Sequence, residues 1–475
     1  MRLLSVTSLL LSVLALHAAP SVREEFEKEA SARVDLEQFA KDMSLLDSEV
    51  EAEAKEHAAE TEELLKNIGP LSDAEAEAER AEEAVNAEIA DEVYEGDLVL
   101  TNEQLDALLG PLESNGRRRR QADTPSKYPA NIWGTAPIPF SFAPSASEEI
   151  KRLVRLATRF WSDNTCINFQ ENGAGNNKIV VASLGGCYSS VGMVGGSQTL
   201  SLQNDGCNSF STATHELEHA LGVYHEQSRA DRDYYVNINL NNIPEKNEHN
   251  FKALSAATSQ SFGVPYEFGS NMHYTQDSFA EDYRIPTIVA KGPYANYQNS
   301  MRGHQPSFLD VLLVNRFYKC LDKCNSRANP CLNGGYLDPR ACSRCVCPEG
   351  LGGQRCTEDP AGSKLLTSST QYQSISIKLG AYGVQRDTYE TATYVINAPQ
   401  GRRVELTIDG VWGAMSSGCG TNGIEVKPAR DLQPRGFRYC GGEPKPKVVV
   451  SETNRLPIMV WSNRGEIRAD VRYRY

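Results

Sequence analysis

The sequence predicts an α+β domain, then a small disulfide-held module, then an all-β sandwich. Three observations carry this expectation. Strand-like and helix-like periodicities are mixed after Arg120, six of the twelve cysteines fall within 33 residues (324 to 356), and residues 362 to 475 alternate short apolar runs with turns. A chain of 475 residues also exceeds what one hydrophobic core organises, so several modules are expected.

In chain order, Met1 and Arg2 precede the apolar run Leu9 to Leu16 and the small residues Ala18 and Ala19. That layout is a signal peptide, 1–19, whose apolar core is too short for a stable membrane anchor. The chain is expected to be secreted, with no later stretch able to span a bilayer. Twelve cysteines in an oxidising compartment are then expected to form disulfides.

The formal net charge is −14, yet residues 21 to 116 hold 29 Asp or Glu against 7 Lys or Arg, a net of −22. Residues 121 to 475 carry 33 acids and 36 bases, a net of +3, with no basic cluster among aromatic residues, which argues against nucleic-acid binding. Pieces such as Glu51 to Glu56 and Ala74 to Arg80 favour helix but offer few apolar anchors, so solvated helix or disorder is expected over 21–92. The segment ends at Arg117 to Arg120, behind Gly110-Pro111 and Ser114-Asn115-Gly116. A flexible loop there would present the run to a processing protease, and cleavage after Arg120 would make 20–120 a removable propeptide.

Beyond Arg120, Ile138 to Phe142 and Lys178 to Ala182 have strand character. Ser147 to Trp161 has helical spacing, with Ile150, Leu153, Val154, Leu156, Ala157 and Phe160 on one broad apolar face. The chemistry begins at His215-Glu216-Leu217-Glu218-His219. Two histidines four apart on a helix project from one face and can grip one cation, with Glu216 beside them. Gly222 can stop the helix in a left-handed conformation and turn the chain back, bringing His225 towards the same metal. Three histidines and an open position suit one catalytic Zn2+, with Glu216 as the base that takes a proton from water and returns it to a departing amine.

This longer pattern is that of the metzincins. His225-Glu226-Gln227-Ser228-Arg229-Ala230-Asp231-Arg232-Asp233 resembles the extended zinc motif of the astacin family, and Ser270-Asn271-Met272-His273-Tyr274 resembles its Met-turn. The resemblance implies a metzincin catalytic domain over 121–320 with Met272 beneath the metal. It implies that Tyr274 coordinates zinc and then helps to stabilise the oxyanion, and that Glu226 meets the new amino terminus after processing. Tyr94-Glu95-Gly96-Asp97 is similar to the family's propeptide motif, which makes Asp97 the inhibitory zinc ligand. The chain departs from the commonest pattern at Glu218 (usually Gly), Ala230 (usually Pro) and Tyr94 (usually Phe), none of them a metal ligand.

The family's cysteine order implies the pairs Cys166 with Cys320 and Cys187 with Cys207. Residues 321–357 resemble an EGF-like module, which implies Cys324 with Cys342, Cys331 with Cys345 and Cys347 with Cys356. Residues 362–475 resemble a CUB domain in which Cys419 and Cys440 form one disulfide where two are usual. The order is similar to that of nematode astacins implicated in hatching and moulting, which implies egg-envelope, cuticle or collagen-like matrix proteins as substrates. Subsite preference is expected to depend on loops such as Phe279 to Thr287, where Arg284 is read as a surface arginine ahead of a contact for acidic P1′ side chains. The competing reading is a catalytically inactive extracellular protein that binds matrix through its EGF-like and CUB-like modules.

Overall fold

The computed structural model describes residues 36–68, 84–87, 89–90, 93–109, 132–256, 258–324, 329–442 and 446–475; the expected leader and the Arg117 to Arg120 run lie outside them. Among the described residues no helix is long and apolar enough to cross a membrane.

The amino-terminal acidic segment supplies α1 (Leu36–Ile68), β1 (Leu98–Val99) and α2 (Asn102–Leu109). The expectation of a solvated helix or disorder over 21–92 is corrected for α1. Phe39, Met43, Leu46 and Val50 recur at one helical face and are all buried. The first three join Tyr94, Leu98, Leu100, Leu105, Val191, Tyr224 and Leu254 in one cluster, while Val50 packs with Val236, Ile238 and Phe251. Four anchors in line suffice because the partner surface is already apolar. Around that stripe, Asp47 pairs with His249 at 3.0 Å and Glu53 with Lys252 at 2.6 Å, so the acidity of the segment meets bases on its host.

The central unit contains β2 (Ile138–Phe142), α3 (Glu148–Asn164), β3 (Phe169–Glu171), β4 (Lys178–Ala182), β5 (Cys187–Ser190), β6 (Ser197–Leu202), α4 (Phe210–Ala220), β7 (Val236–Ile238), β8 (Ile288–Ala290) and α5 (Phe308–Phe317). Its main sheet has the order β1-β5-β6-β4-β2-β3. Every pair is parallel except β5 with β6. Ser147 caps α3 by accepting the Ile150 amide at 3.2 Å, satisfying an amide that the first turn leaves free. The helix then buries Ile150, Leu153, Val154, Ala157 and Trp161 against Phe140, Ile179, Val181 and Leu200. Leu156 and Phe160 are only partly buried, so the buried face runs through Trp161. The indole of Trp161 donates to the Thr214 carbonyl at 3.2 Å, fixing α3 against α4.

Six disulfides are formed: Cys166–Cys320, Cys187–Cys207, Cys324–Cys342, Cys331–Cys345, Cys347–Cys356 and Cys419–Cys440. The first closes the central unit behind α5. The third, fourth and fifth interlock around a hairpin of β9 (Tyr336–Asp338) and β10 (Ala341–Val346), whose small cluster consists largely of cysteines.

The carboxy-terminal domain contains β11 (Lys364–Thr367), β12 (Gln373–Asn397), β13 (Glu405–Trp412), β14 (Asn422–Val426), β15 (Phe437–Tyr439), β16 (Lys447–Val450) and β17 (Arg455–Arg474). The long strands β12 and β17 pair antiparallel along their lengths, with register shifts between Ala381 and Glu390. On one side of that irregularity β17 pairs with β14, on the other with β13. Ile424 and Ile458 from one half meet Ile377, Leu406 and Val471 from the other in a single core, so the two halves face each other as a sandwich.

Candidate metal centre

α4 carries the first two histidines. Ser209 starts it by accepting the Thr212 amide at 2.9 Å, and Ala213, Leu217 and Ala220 turn inward to the core. This phase leaves His215 and His219 on the opposite flank. Gly222 ends the helix with φ +104°, a conformation that disfavours a side chain. A Cβ there would also come within 2.9 Å of the Phe317 ring. The chain doubles back, and the His225 ring centroid comes within 4.7 Å of that of His219.

Each imidazole is oriented through Nδ1. His215 Nδ1 donates to the Asn271 carbonyl at 2.7 Å, His219 Nδ1 to the Val223 carbonyl at 2.7 Å, and His225 Nδ1 to the Glu95 carboxylate at 2.7 Å. A carbonyl or ionised carboxylate only accepts, so the proton is fixed on Nδ1 and a neutral ring presents its lone pair at Nε2. The Nε2 atoms of His215 and His219 are 3.0 Å apart. Two lone pairs at that distance repel unless a cation or a proton lies between them.

The fourth group is Asp97. Tyr94 and Leu98 exchange two 2.9 Å backbone hydrogen bonds around the Glu95-Gly96 turn, and the Ser189 amide donates to the Asp97 carbonyl at 3.0 Å. β1 thereby lies along the edge of β5, and the Asp97 carboxylate points into the cluster. It approaches His215 at 3.1 Å, His225 at 3.4 Å and His219 at 3.5 Å. One ligand atom from each of Asp97, His215, His219 and His225 lies within 4.8 Å of the others, a geometry that could hold one metal ion. Three imidazole nitrogens and a carboxylate, with the far sides of the rings already hydrogen-bonded, form a donor set that fits zinc.

The electrostatics agree with a cation-binding cluster. Burial works against the Asp97 carboxylate, but His225 and His219 outweigh it and hold its pKa well below the usual range. Burial and the neighbouring His219 lower His215 to about 4, keeping it neutral. Burial also disfavours the His225 cation, yet Asp97 and Glu95 prevail and raise its pKa to about 9, so a metal entering the site displaces a proton from this ring. Glu216 is buried beside the cluster; burial and the Asp97 charge push its pKa well above the carboxylate range, and its Oε2 has no hydrogen-bond partner. A buried carboxyl of this kind can hold and release a proton.

The segment Ser270 to Tyr274 adjoins the cluster through the Asn271 carbonyl and the Tyr274 ring. Met272 is buried in the central core, and its carbonyl accepts the Glu226 amide at 2.8 Å, joining the turn to the third-histidine segment. The Tyr274 ring lies 4.8 Å from that of His225, tilted by 56°, but its hydroxyl donates to the Glu95 carbonyl at 2.7 Å. The acidic segment therefore holds both Tyr274 and His225. Glu226 is engaged by Arg229 at 3.1 Å and by the Glu267 amide at 2.8 Å. Arg284 is exposed and forks onto Asp282. Sequence reasoning overlooked Glu95; its only signal is its place two residues before Asp97, among many other acids.

A family model described as Astacin, a peptidase family, matches residues 125–319. Zinc metalloproteinase nas-17 of Caenorhabditis elegans is 33% identical over 390 residues, covering 81% of this chain and 87% of that protein. Zinc metalloproteinase nas-29 of the same organism is 32% identical over 418 residues, covering 82% and 77%. The chain belongs to the astacin family. Another astacin-type relative, zinc metalloproteinase nas-31, is 34% identical over 396 residues; the match spans 82% of this chain and 64% of that longer protein. Among solved structures, high choriolytic enzyme 1, a hatching enzyme zinc-protease from Oryzias latipes, is 32% identical, covers 42% of this chain and 99% of its own, and has a TM-score of 0.38. This astacin's departure at Glu218 puts a fully buried carboxyl on the zinc-type helix; burial, Asp310 and Glu226 raise its pKa well above the usual range.

Proposed function

We propose that this astacin is a zinc metalloendopeptidase made as a zymogen, and the observation that carries the reading is the convergence of Asp97 with His215, His219 and His225. Zinc supplies Lewis-acid chemistry here, making water nucleophilic near neutral pH and polarising a scissile carbonyl. The histidines serve as its ligands, each kept in the right tautomer by its Nδ1 partner. Glu216 takes the proton of the attacking water at Oε2 and hands it to the departing amine. Tyr274, once its hydroxyl is free of the Glu95 carbonyl, donates to the oxygen on which negative charge develops. No covalent adduct with the protein is needed.

Latency follows from three acts of the 20–120 segment. Asp97 occupies a ligand position, Glu95 and its carbonyl hold His225 and Tyr274, and β1 covers the β5 edge along which a peptide would add as a strand. Cleavage by a processing protease at Arg117 to Arg120 would let the segment leave. Residues 321–357, with three interlocking disulfides, support an EGF-like module, and 362–475, a one-disulfide sandwich, support a CUB-like domain. The signal-like start and the disulfides support secretion; egg-envelope, cuticle or collagen-like matrix proteins are the proposed substrates.

The test is zinc content and cleavage together. After removal of residues 1–120, the chain should carry one zinc per molecule and cleave a denatured protein substrate in a chelator-sensitive way. A folded, zinc-loaded chain without turnover would contradict the reading.

A further inference from the structure

The carboxy-terminal sandwich is in contact with the Met-turn. The Arg435 amide, just before β15, donates to Glu267 at 2.9 Å. The same Glu267 carboxylate accepts the Gly269 amide at 3.0 Å, and the Glu267 amide donates to Glu226 at 2.8 Å. The Arg435 side chain lies over Gly269 so closely that a Cβ there would be 2.6 Å from its Cγ. Two residues on, the Asn271 carbonyl holds His215. A continuous set of short contacts thus runs from the sandwich to the first metal-site histidine.

The contact is extensive. The Arg438 amide donates to Ser300 at 2.9 Å, and its guanidinium to the Arg302 carbonyl at 2.7 Å and to Glu425 at 3.1 Å. Arg435 pairs with Glu349 of the small module at 3.1 Å. His304 stacks on Trp461 with centroids 4.4 Å apart, and Ser417 donates to Asp277 at 3.1 Å, three residues beyond Tyr274. Arg435, Arg438, Glu425 and Glu267 are all buried. Buried charges are tolerable only when paired, and these find partners from three modules at once. A loosely tethered recruitment domain does not need such a junction.

We propose that Arg435 is a positioning residue of the peptidase site: its backbone amide holds Glu267, and its side chain, the part its substitutions remove, packs over Gly269 and fixes the Met-turn so that Asn271 can hold His215. The sandwich is then a wall of the catalytic unit as well as any docking surface it provides. This inference rests on the peptidase reading.

The experiment compares the full chain with Arg435→Ala, Arg435→Lys, Glu349→Gln and, as a distant control, Tyr382→Ser. Zinc release to a competing chelator is measured on each uncut protein, and kcat and KM on a short peptide after activation. Arg435→Ala should release zinc about tenfold faster and lose about tenfold in kcat with KM little changed, an effect on the scale of outer-shell changes at metal sites. Glu349→Gln, which removes one charged partner of the Arg435 head while the Gln305 carbonyl and Glu425 remain, should shift both in the same direction by about threefold, and Tyr382→Ser neither. If Arg435→Ala does not fold, Arg435→Lys and Glu349→Gln decide. Folded variants with unchanged zinc release and kcat, or with a change only in KM for large substrates, overturn the proposal. A wild-type chain that holds no zinc would instead refute the peptidase reading itself.

Discussion

Replacing Leu46 with alanine tests whether the acidic segment is held by its buried face. Leu46 is 1% exposed and sits among Tyr94, Leu98, Leu100 and Tyr224, so it links α1 to the turn that presents Asp97. Truncating a fully buried leucine costs about 2 to 5 kcal/mol, the lost transfer energy plus the cavity left behind. If that cost falls on the docked state, opening of the segment becomes about 30-fold to a few thousand-fold more frequent, at about 1.4 kcal/mol per factor of ten. Amide hydrogen exchange on the uncut chain reads this directly: protection of the Tyr94 and Leu98 amides, which bond to each other's carbonyls, should fall by that factor. Peptidase activity of the uncut chain should rise with it. Protection within threefold of wild type would show that docking does not depend on this face and would refute the reasoning.

Asp97→Asn removes the ligand charge while leaving the β1 backbone pairing in place. It should raise the activity of the uncut chain by about tenfold or more, on the scale of effects at metal sites, with α1 exchange protection unchanged; undiminished latency would remove Asp97 from its role. A pH dependence follows from Glu248, which lies beneath α1, where burial and then Asp47, Glu51 and Glu245 raise its pKa from 4.5 to about 7. A carboxyl whose pKa is raised in the docked state binds its proton more tightly there. Docking is therefore favoured in acid and weakens as pH rises from 4.5 through about 7. Segment opening, corrected for intrinsic exchange, should increase between about pH 5 and pH 8, and Glu248→Gln should flatten the profile; a flat wild-type profile would contradict the assignment.

The metal-site residues were legible because their chemistry dictates their spacing. His215 and His219 need one helical turn between them, and Gly222 is required where the chain reverses with positive φ. The partners that orient them were not legible: Asn271 and Val223 act through backbone carbonyls, which every residue possesses, and Glu95 through a carboxylate in a segment full of them. The α1 face escaped notice because its apolar residues are sparse among alanines and glutamates, and their burial depends on a surface some 150 residues or more away in sequence, around Tyr224 and Phe251. The strand-like runs at 374–379, 404–408, 448–450 and 458–461 all fall within or beside β12, β13, β16 and β17. How those strands close against the Met-turn depends on buried Arg435 and Arg438, residue types that sequence alone places at the surface.

The central claim is that Glu216 moves the proton in a zinc-dependent cleavage. Glu216→Gln in the activated chain keeps the size and burial of the side chain but removes its ability to accept a proton. Zinc content should stay at the wild-type level while kcat on a peptide substrate falls by about 100-fold to 10,000-fold, the usual range for loss of a positioned acid-base group. A variant that retains zinc and cleaves within threefold of wild type would contradict the account.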